Sequence, residues 1–311
     1  MSRILPCHAI MRPMKRKPTL LIVGCGDVGL RVLRELRRRG SPWRVLALTS
    51  QAERRHELRE AGAIPLLGNL DDAASLGRLA GLADAVLHLA PPPLQGRTDP
   101  RTARLLQALS RRSVPKRLVY MSTTGVYGDC QGQWVPETRA LKPQTERAQR
   151  RVDAEQRVRH WAQRLGCSSA LLRVPGIYAL DRVGGDPRER VRRGSPSLVP
   201  EEDGYTNHIQ ADDLARIALA ALNRAWPLRA YNCGDEGQLR TGDHYDLVAE
   251  RCGLPRPPRI TWDQARAQLS PMQLSFWGES RRLVSQRIQQ ELGVRLHYPT
   301  VEQALPSAPG A

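Results

Sequence analysis

Thr19-Leu-Leu-Ile-Val-Gly-Cys-Gly-Asp-Val-Gly29 decides the fold. An apolar run ends in G-x-G-x-x-G. A segment with helical spacing follows, with Val28, Leu33 and Leu36 among its apolar positions and Gly40 as its stop. Strand, tight turn and helix in that order open a dinucleotide-binding α/β fold. Gly24 permits the sharp turn, Gly26 lets the backbone approach a pyrophosphate, and Gly29 lets the helix pack close to the strand. Phosphates would then meet the helix N-terminus, where free N–H groups and the helix dipole favour an anion. The plain alternative is a glycine-rich turn with no ligand.

Outward from this turn, strands and helices alternate. Trp43–Thr49, Ala63–Leu67, Ala85–Ala90, Arg117–Met121 and Ala170–Val174 read as strands. Gln51–Ala61, Ala74–Gly81, Pro100–Ser113, Thr145–Leu165 and Ala211–Asn223 read as helices. Such alternation predicts a parallel sheet with right-handed crossovers. Residues 184–204 show no period and read as a mobile loop. Ala230–Cys233 reads as a short strand, 234–300 as two or three helices, and 305–311 as a frayed tail. Residues 1–17 read as a leader, or as an over-long start, since Met14 opens a natural MKRKPTLLIVGCG.

Composition narrows the function. The net charge is +17 and Lys15, Lys17, Lys116 and Lys142 are the only lysines. The arginines are spread beside glutamates, as in Arg34-Glu-Leu-Arg-Arg-Arg39, and phenylalanine occurs once. This argues against nucleic acid, whose readers need clustered charge and stacking platforms. No apolar run reaches the ~18 residues that span a membrane. Cys7, Cys25, Cys130, Cys167, Cys233 and Cys252 form no C-x-x-C pair. They read as reduced cytoplasmic thiols, without disulfide or metal.

Later segments add motifs in a fixed order. They are Asp84-Ala-Val-Leu-His-Leu-Ala90, Val119-Tyr-Met-Ser-Thr-Thr-Gly-Val-Tyr-Gly128, Leu172-Arg-Val-Pro-Gly-Ile-Tyr178, Asn207-His-Ile-Gln-Ala-Asp-Asp213 and Tyr231-Asn-Cys-Gly-Asp235. Over residues 19–303 the chain resembles the extended short-chain dehydrogenases/reductases, the epimerase/dehydratase group. The resemblance implies a Rossmann-type doubly wound parallel sheet with a smaller C-terminal α/β substrate domain. Residues 18–174 would form the dinucleotide domain, 175–311 mainly the substrate domain, and 211–233 would return to the first.

The resemblance also implies site residues. Gly24, Gly26 and Gly29 would hold the pyrophosphate, with Asp27, Val28, Thr49, Leu70 and Val174 beside them. Asn69 would meet the adenine, and Leu89 and Ala90 would line its ribose side. An NAD site usually ends its second strand in Asp or Glu. Leu48-Thr49-Ser50 stands there instead, and Arg54 follows, which tilts the choice from NAD towards NADP. Tyr178, His208 and Arg281 would face a small-molecule substrate, of carbonyl or sugar-nucleotide type. A homodimer stays open.

The family's catalysis uses a Ser or Thr, here Thr123, and a Tyr-x-x-x-Lys pair on the next long helix. No tyrosine of this chain has Lys four residues later. Aligned by Glu155, that helix carries Arg147 and Arg151 at the two positions. Arginine cannot exchange protons near neutral pH. Arg151 could hydrogen-bond a ribose hydroxyl of the cofactor, Arg147 and Arg151 could jointly bind a phosphate or carboxylate, or both could belong to a solvated ion-pair face. Tyr127 is the replacement acid nearest to Thr123, with pocket lining as its other role. The chain thus reads as an oxidoreductase or epimerase-like enzyme, or as a non-catalytic dinucleotide sensor. A nucleic-acid-associated protein is a third class.

Overall fold

In the computed structural model, which describes residues 17–306, the apolar run forms β1 (Thr19–Val23), buried at every position. A parallel strand covered on both faces requires this. The chain continues through α1 (Asp27–Arg38), β2 (Arg44–Thr49), α2 (Arg55–Glu60), β3 (Ile64–Leu67), β4 (Ala85–His88), α3 (Pro100–Leu109) and β5 (Arg117–Thr123). Next come β6 (Trp134–Val135), α4 (Glu146–Leu165), β7 (Ser168–Val174), β8 (Gly176–Tyr178), α5 (Pro187–Arg192), β9 (Ser197–Leu198), β10 (His208–Gln210), α6 (Ala211–Arg224) and β11 (Arg229–Asn232). The last described segment holds α7 (Thr241–Cys252), β12 (Arg259–Ile260), α8 (Trp262–Gln268), α9 (Pro271–Trp277), β13 (Arg282–Leu283), α10 (Gln286–Gln290) and α11 (Val301–Ala304).

Seven parallel strands make the main sheet, in the order β11-β7-β5-β4-β1-β2-β3. The chain runs outward from β1 to β3, then crosses to β4 on the other side. This Rossmann-type winding leaves a crevice beyond the carboxyl ends of β1 and β4, where the strand order reverses. On one face α1 packs against α6, with Val32, Leu33, Ile217 and Ala218 in a shared core. On the other, α3 and α4 contribute Leu105, Leu109, Val158 and Trp161. A smaller core joins α5, α7 and α11 through Val191, Tyr245, Val248 and Val301.

Local signals explain the element ends that matter for function. Gly26 precedes α1 without any side-chain cap, so the first N–H groups stay free for a ligand. Thr145 caps α4, its hydroxyl accepting from the Ala148 N–H at 3.2 Å. Gly166, at φ +68°, stops α4 in the left-handed region.

Several expectations are corrected. Residues 184–204 are not all loop: α5 and β9 lie there. Asp186 caps α5 by accepting from the Arg188 N–H at 2.9 Å, and Pro187 starts it. A six-residue helix is too short to register as a period. Residues 234–300 hold four helices, three of them of seven residues or fewer. The tail 305–311 lies mostly, and the leader 1–17 almost wholly, outside the described residues. No helix among the described residues is long and apolar enough to cross a membrane.

Candidate functional site

The glycine turn forms the floor of a groove of about 530 Å³ at the switch point. Gly24 has φ +84°, and a Cβ there would lie 2.5 Å from the Ala90 backbone. Only glycine allows both that angle and that approach. Gly26 faces open space: a Cβ there would meet no atom within 4 Å. A Cβ on Gly29 would come within 2.9 Å of the Cys25 Sγ, so the helix start and the turn are in close contact. The groove gathers Gly24, Gly26, Asp27, Val28, Gly29, Thr49, Arg54, Asn69, Leu70, Leu89, Ala90, Arg151 and Val174 on one surface.

Two of these side chains are tied down. Arg54 stands beyond the end of β2, donating from Nη1 to the Cys25 carbonyl at 2.9 Å and pairing with Glu57 at 2.8 Å. Asp27 meets Arg31 at 3.2 Å and also Arg182. Arg31 is buried and also binds Asp181 and Asp212. Asp27 therefore fixes the start of α1 and has little capacity left for a ligand. Asp212 pairs with Arg31 at 2.8 Å. Gln210 caps α6, and Asp213 accepts from the His297 and Tyr298 N–H groups.

A second chamber of about 300 Å³ adjoins the groove. Thr123, Pro175 and Ile177 line both. Thr123 closes β5, which runs two residues beyond the expected Met121 and so reaches this junction. Arg147 and Arg151 share α4 but serve different cavities. Arg151 turns to the groove, donating to the Met121 carbonyl at 2.6 Å and the Tyr120 hydroxyl at 3.2 Å. Arg147 turns to the chamber, its guanidinium 4.1 Å over the Phe276 ring. They do not form one anion site. Nor is this a simple solvated face: Asp153–Arg157 is an exposed pair at 2.7 Å, but Glu155 points inward.

Tyr178 and His208 lie on the chamber wall, as does Arg281. Tyr178 is buried, its hydroxyl without a partner among the described residues, and burial raises its pKa above the usual range. His208 stacks on His244 at 4.2 Å. Burial and the Arg190 charge lower His208 to about 4, and burial carries His244 well below its ordinary value. Both rings are neutral near pH 7. Arg281 is not free for substrate: it is buried, pairs with Glu279, and donates to the Gly128 carbonyl at 3.3 Å.

Tyr127 is the clearest correction. It lines neither cavity and is 1% exposed. Its hydroxyl donates to Asn232 Oδ1 at 2.7 Å and accepts from Arg173 Nη1 at 2.9 Å. Arg173 in turn forms a buried pair with Glu155 at 2.8 Å. Asn232 Nδ2 donates to the Val135 and Val284 carbonyls, and Glu137 accepts from the Asn232 N–H at 3.1 Å. Burial pushes Tyr127 up to about 12 despite the opposing Arg173 charge. The phenol ties the turn after β5 to β7 and β11 of the sheet, out of reach of the cleft.

The family described as NAD dependent epimerase/dehydratase matches residues 20–234. The chain belongs to the NAD-dependent epimerase/dehydratase family. The chain is similar to a functionally unknown conserved protein from Silicibacter pomeroyi. It has 31% identity over 92% of this chain and 97% of that one, with TM-score 0.76. UDP-glucose 4-epimerase from Thermotoga maritima, solved with UDP-glucose, gives TM-score 0.74 at 19% identity over 92% of this chain and 96% of that one. UDP-glucuronic acid 4-epimerase from Bacillus cereus, in complex with NAD, gives 0.71 at 15% over 93% and 97%. At these identities the two epimerases show likeness of fold. No curated protein matches the chain.

Among the chamber residues that escaped the sequence are Arg190, His244, Phe276 and Glu279. They come from short or weakly periodic segments. His244, on the apolar side of α7 with Tyr245 and Val248, left the one readable trace, a polar ring on a buried stripe.

Proposed function

We propose that this protein is an NAD(P)-dependent oxidoreductase or epimerase-like enzyme that acts on a small molecule held in the chamber. The observation that carries this is the shared wall: Thr123, Pro175 and Ile177 face both the dinucleotide groove and the chamber. The groove residues fit the cofactor. Open space over Gly26 leaves room for a pyrophosphate, and the uncapped start of α1 offers N–H groups to it. When bound, the nicotinamide would supply hydride exchange with a substrate carbon. Thr123 would hydrogen-bond the substrate oxygen and orient it. Arg151, anchored on the Met121 carbonyl, would keep the junction's geometry and offer its remaining N–H groups to a ribose.

A lean to NADP follows from Arg54, fixed on the Cys25 carbonyl beyond a second strand that ends in Thr49 rather than in an acid. Its positive charge suits a ribose 2′-phosphate. Calorimetric titration of the full chain with NADPH and NADH tests it. NADPH is expected to bind at least ~tenfold more tightly, and Arg54→Ala to erase most of that difference, since charge-assisted hydrogen bonds are worth about 1.5–3 kcal/mol. Tighter NADH binding overturns the lean.

A second reading is a dinucleotide sensor without turnover. What favours it is α4, which carries arginine rather than a proton-exchanging side chain at its groove and chamber positions. NADPH oxidation with a panel of small carbonyl compounds and sugar nucleotides separates the two. Turnover that falls in Thr123→Ala supports the enzyme. Tight NADPH binding with no turnover across the panel supports the sensor.

A further inference from the structure

The chamber wall carries two guanidinium groups that no carboxylate among the described residues neutralises. Arg147 is half-buried and has neither a hydrogen bond nor an ion pair among those residues; its contact is the Phe276 ring. Glu279 is its chief charged neighbour, but Glu279 is already bound to Arg281, the two side chains 8% and 7% exposed. Arg190 donates to the Tyr245 hydroxyl at 3.2 Å and likewise meets no acid. Asp186, the other carboxylate on the wall, holds Arg188 at 2.8 Å. The wall is therefore positive by about these two charges. A cation drawn partly out of water is costly until an anion meets it. Tyr178 adds a buried hydroxyl that has no partner among the described residues.

Position sharpens the match. Arg147 lies one helical turn before Arg151, which lines the dinucleotide groove, and Thr123 lies on both cavities. An anion on Arg147 would thus sit beside the junction where chemistry takes place.

We propose that the chamber takes a small carboxylate-bearing substrate, a hydroxy or oxo acid, whose carboxylate lies on Arg147 next to the reacting carbon. This rests on the chamber being the substrate site. Arg147, at the register where the family carries its catalytic tyrosine, becomes an anchor for charge in place of a proton donor. Its planar fork can hold a carboxylate through two parallel hydrogen bonds.

The test uses the full chain, with oxalate as probe and oxamide as its neutral counterpart. NADP⁺ is titrated first, then oxalate and oxamide, each with and without NADP⁺. Oxalate is expected to bind and oxamide not, and oxalate affinity should fall as salt rises. Arg147→Met should weaken oxalate at least ~tenfold while NADP⁺ affinity stays the same, and Arg147→Lys should recover part of the loss. Equal binding of oxalate and oxamide, no oxalate binding, or oxalate binding untouched in Arg147→Met overturns the proposal. If Arg147→Met does not fold, phenylglyoxal labelling of the unaltered chain reads the same contact. Oxalate should then protect Arg147, and absence of protection overturns the idea. Failure of NADP⁺ to bind would sink the dinucleotide reading instead, and oxalate binding to the free protein would still judge the anion site.

Discussion

Gly24 and Gly26 stand two residues apart and answer to different constraints. Gly24 is held by the fold: its φ of +84° and the Ala90 backbone leave no room for a side chain. Gly26, at φ −82°, could carry one, and that side chain would enter the groove. Gly26→Val is therefore expected to melt close to the unaltered chain while losing dinucleotide binding. Gly24→Ala should lose both, the strained angle alone costing about 1–2 kcal/mol. Equal melting of the two variants would refute the distinction. Tyr127 belongs to this scale as well. Tyr127→Phe removes the bond to Asn232 and should cost about 1–3 kcal/mol in urea unfolding. NADPH affinity should not change. A variant of unchanged stability whose turnover is lost would restore Tyr127 to the cleft.

At the scale of elements, α4 does three jobs with one sequence. Its apolar positions Ala154, Val158, Trp161 and Ala162 seat it on the sheet. Glu155 reaches inward to Arg173 on β7, and Arg147 and Arg151 divide between chamber and groove. The helix was legible in the sequence as a long segment over Thr145–Leu165; the structure adds its Thr145 cap and Gly166 stop. Its charge distribution was not, because spacing places Glu146–Arg150 and Arg147–Arg151–Glu155 on helical faces without saying what lies opposite each face. β7 supplies the partner for Glu155, and α9 supplies Phe276 for Arg147. Glu155→Gln leaves Arg173 with a reduced partner in the interior. A loss of about 3–5 kcal/mol in urea-measured stability is expected, as for a broken buried pair. A change below ~1 kcal/mol would mean that Tyr127 and the Glu137 carbonyl suffice to hold Arg173.

Over the whole molecule, acid should loosen the fold in a window set by buried imidazoles. His88 is 1% exposed, its Nε2 2.9 Å from the Thr102 hydroxyl. Burial, reinforced by Arg151, lowers it from 6.5 to about 3. Between these values the unfolded chain binds a proton that the folded chain does not. Stability therefore falls as pH drops from about 6.5, by up to ~5 kcal/mol for this group alone. His208 and His244 act in the same direction. Asp235, whose pKa burial raises, acts in the opposite one. Urea midpoints measured from pH 7 to pH 4 should fall steadily, and less steeply in His88→Leu. A flat profile would contradict a neutral buried His88.

The sequence by itself determined the sheet, the glycine turn and the surface where a dinucleotide would lie. These depend on local rules: an apolar run, a glycine forced by backbone angle, and a helix that starts where phosphate can meet it. It also determined that α4 carries Arg147 and Arg151 four residues apart. Only the tertiary structure decided what those arginines and Tyr127 do. Tyr127 is drawn into the interior by Asn232 and Arg173, residues 105 and 46 positions away, and Arg147 is left uncompensated because Arg281 takes Glu279. Such partners are far apart along the chain, and pairing between charges is settled by which surfaces meet. No spacing within a single helix encodes that.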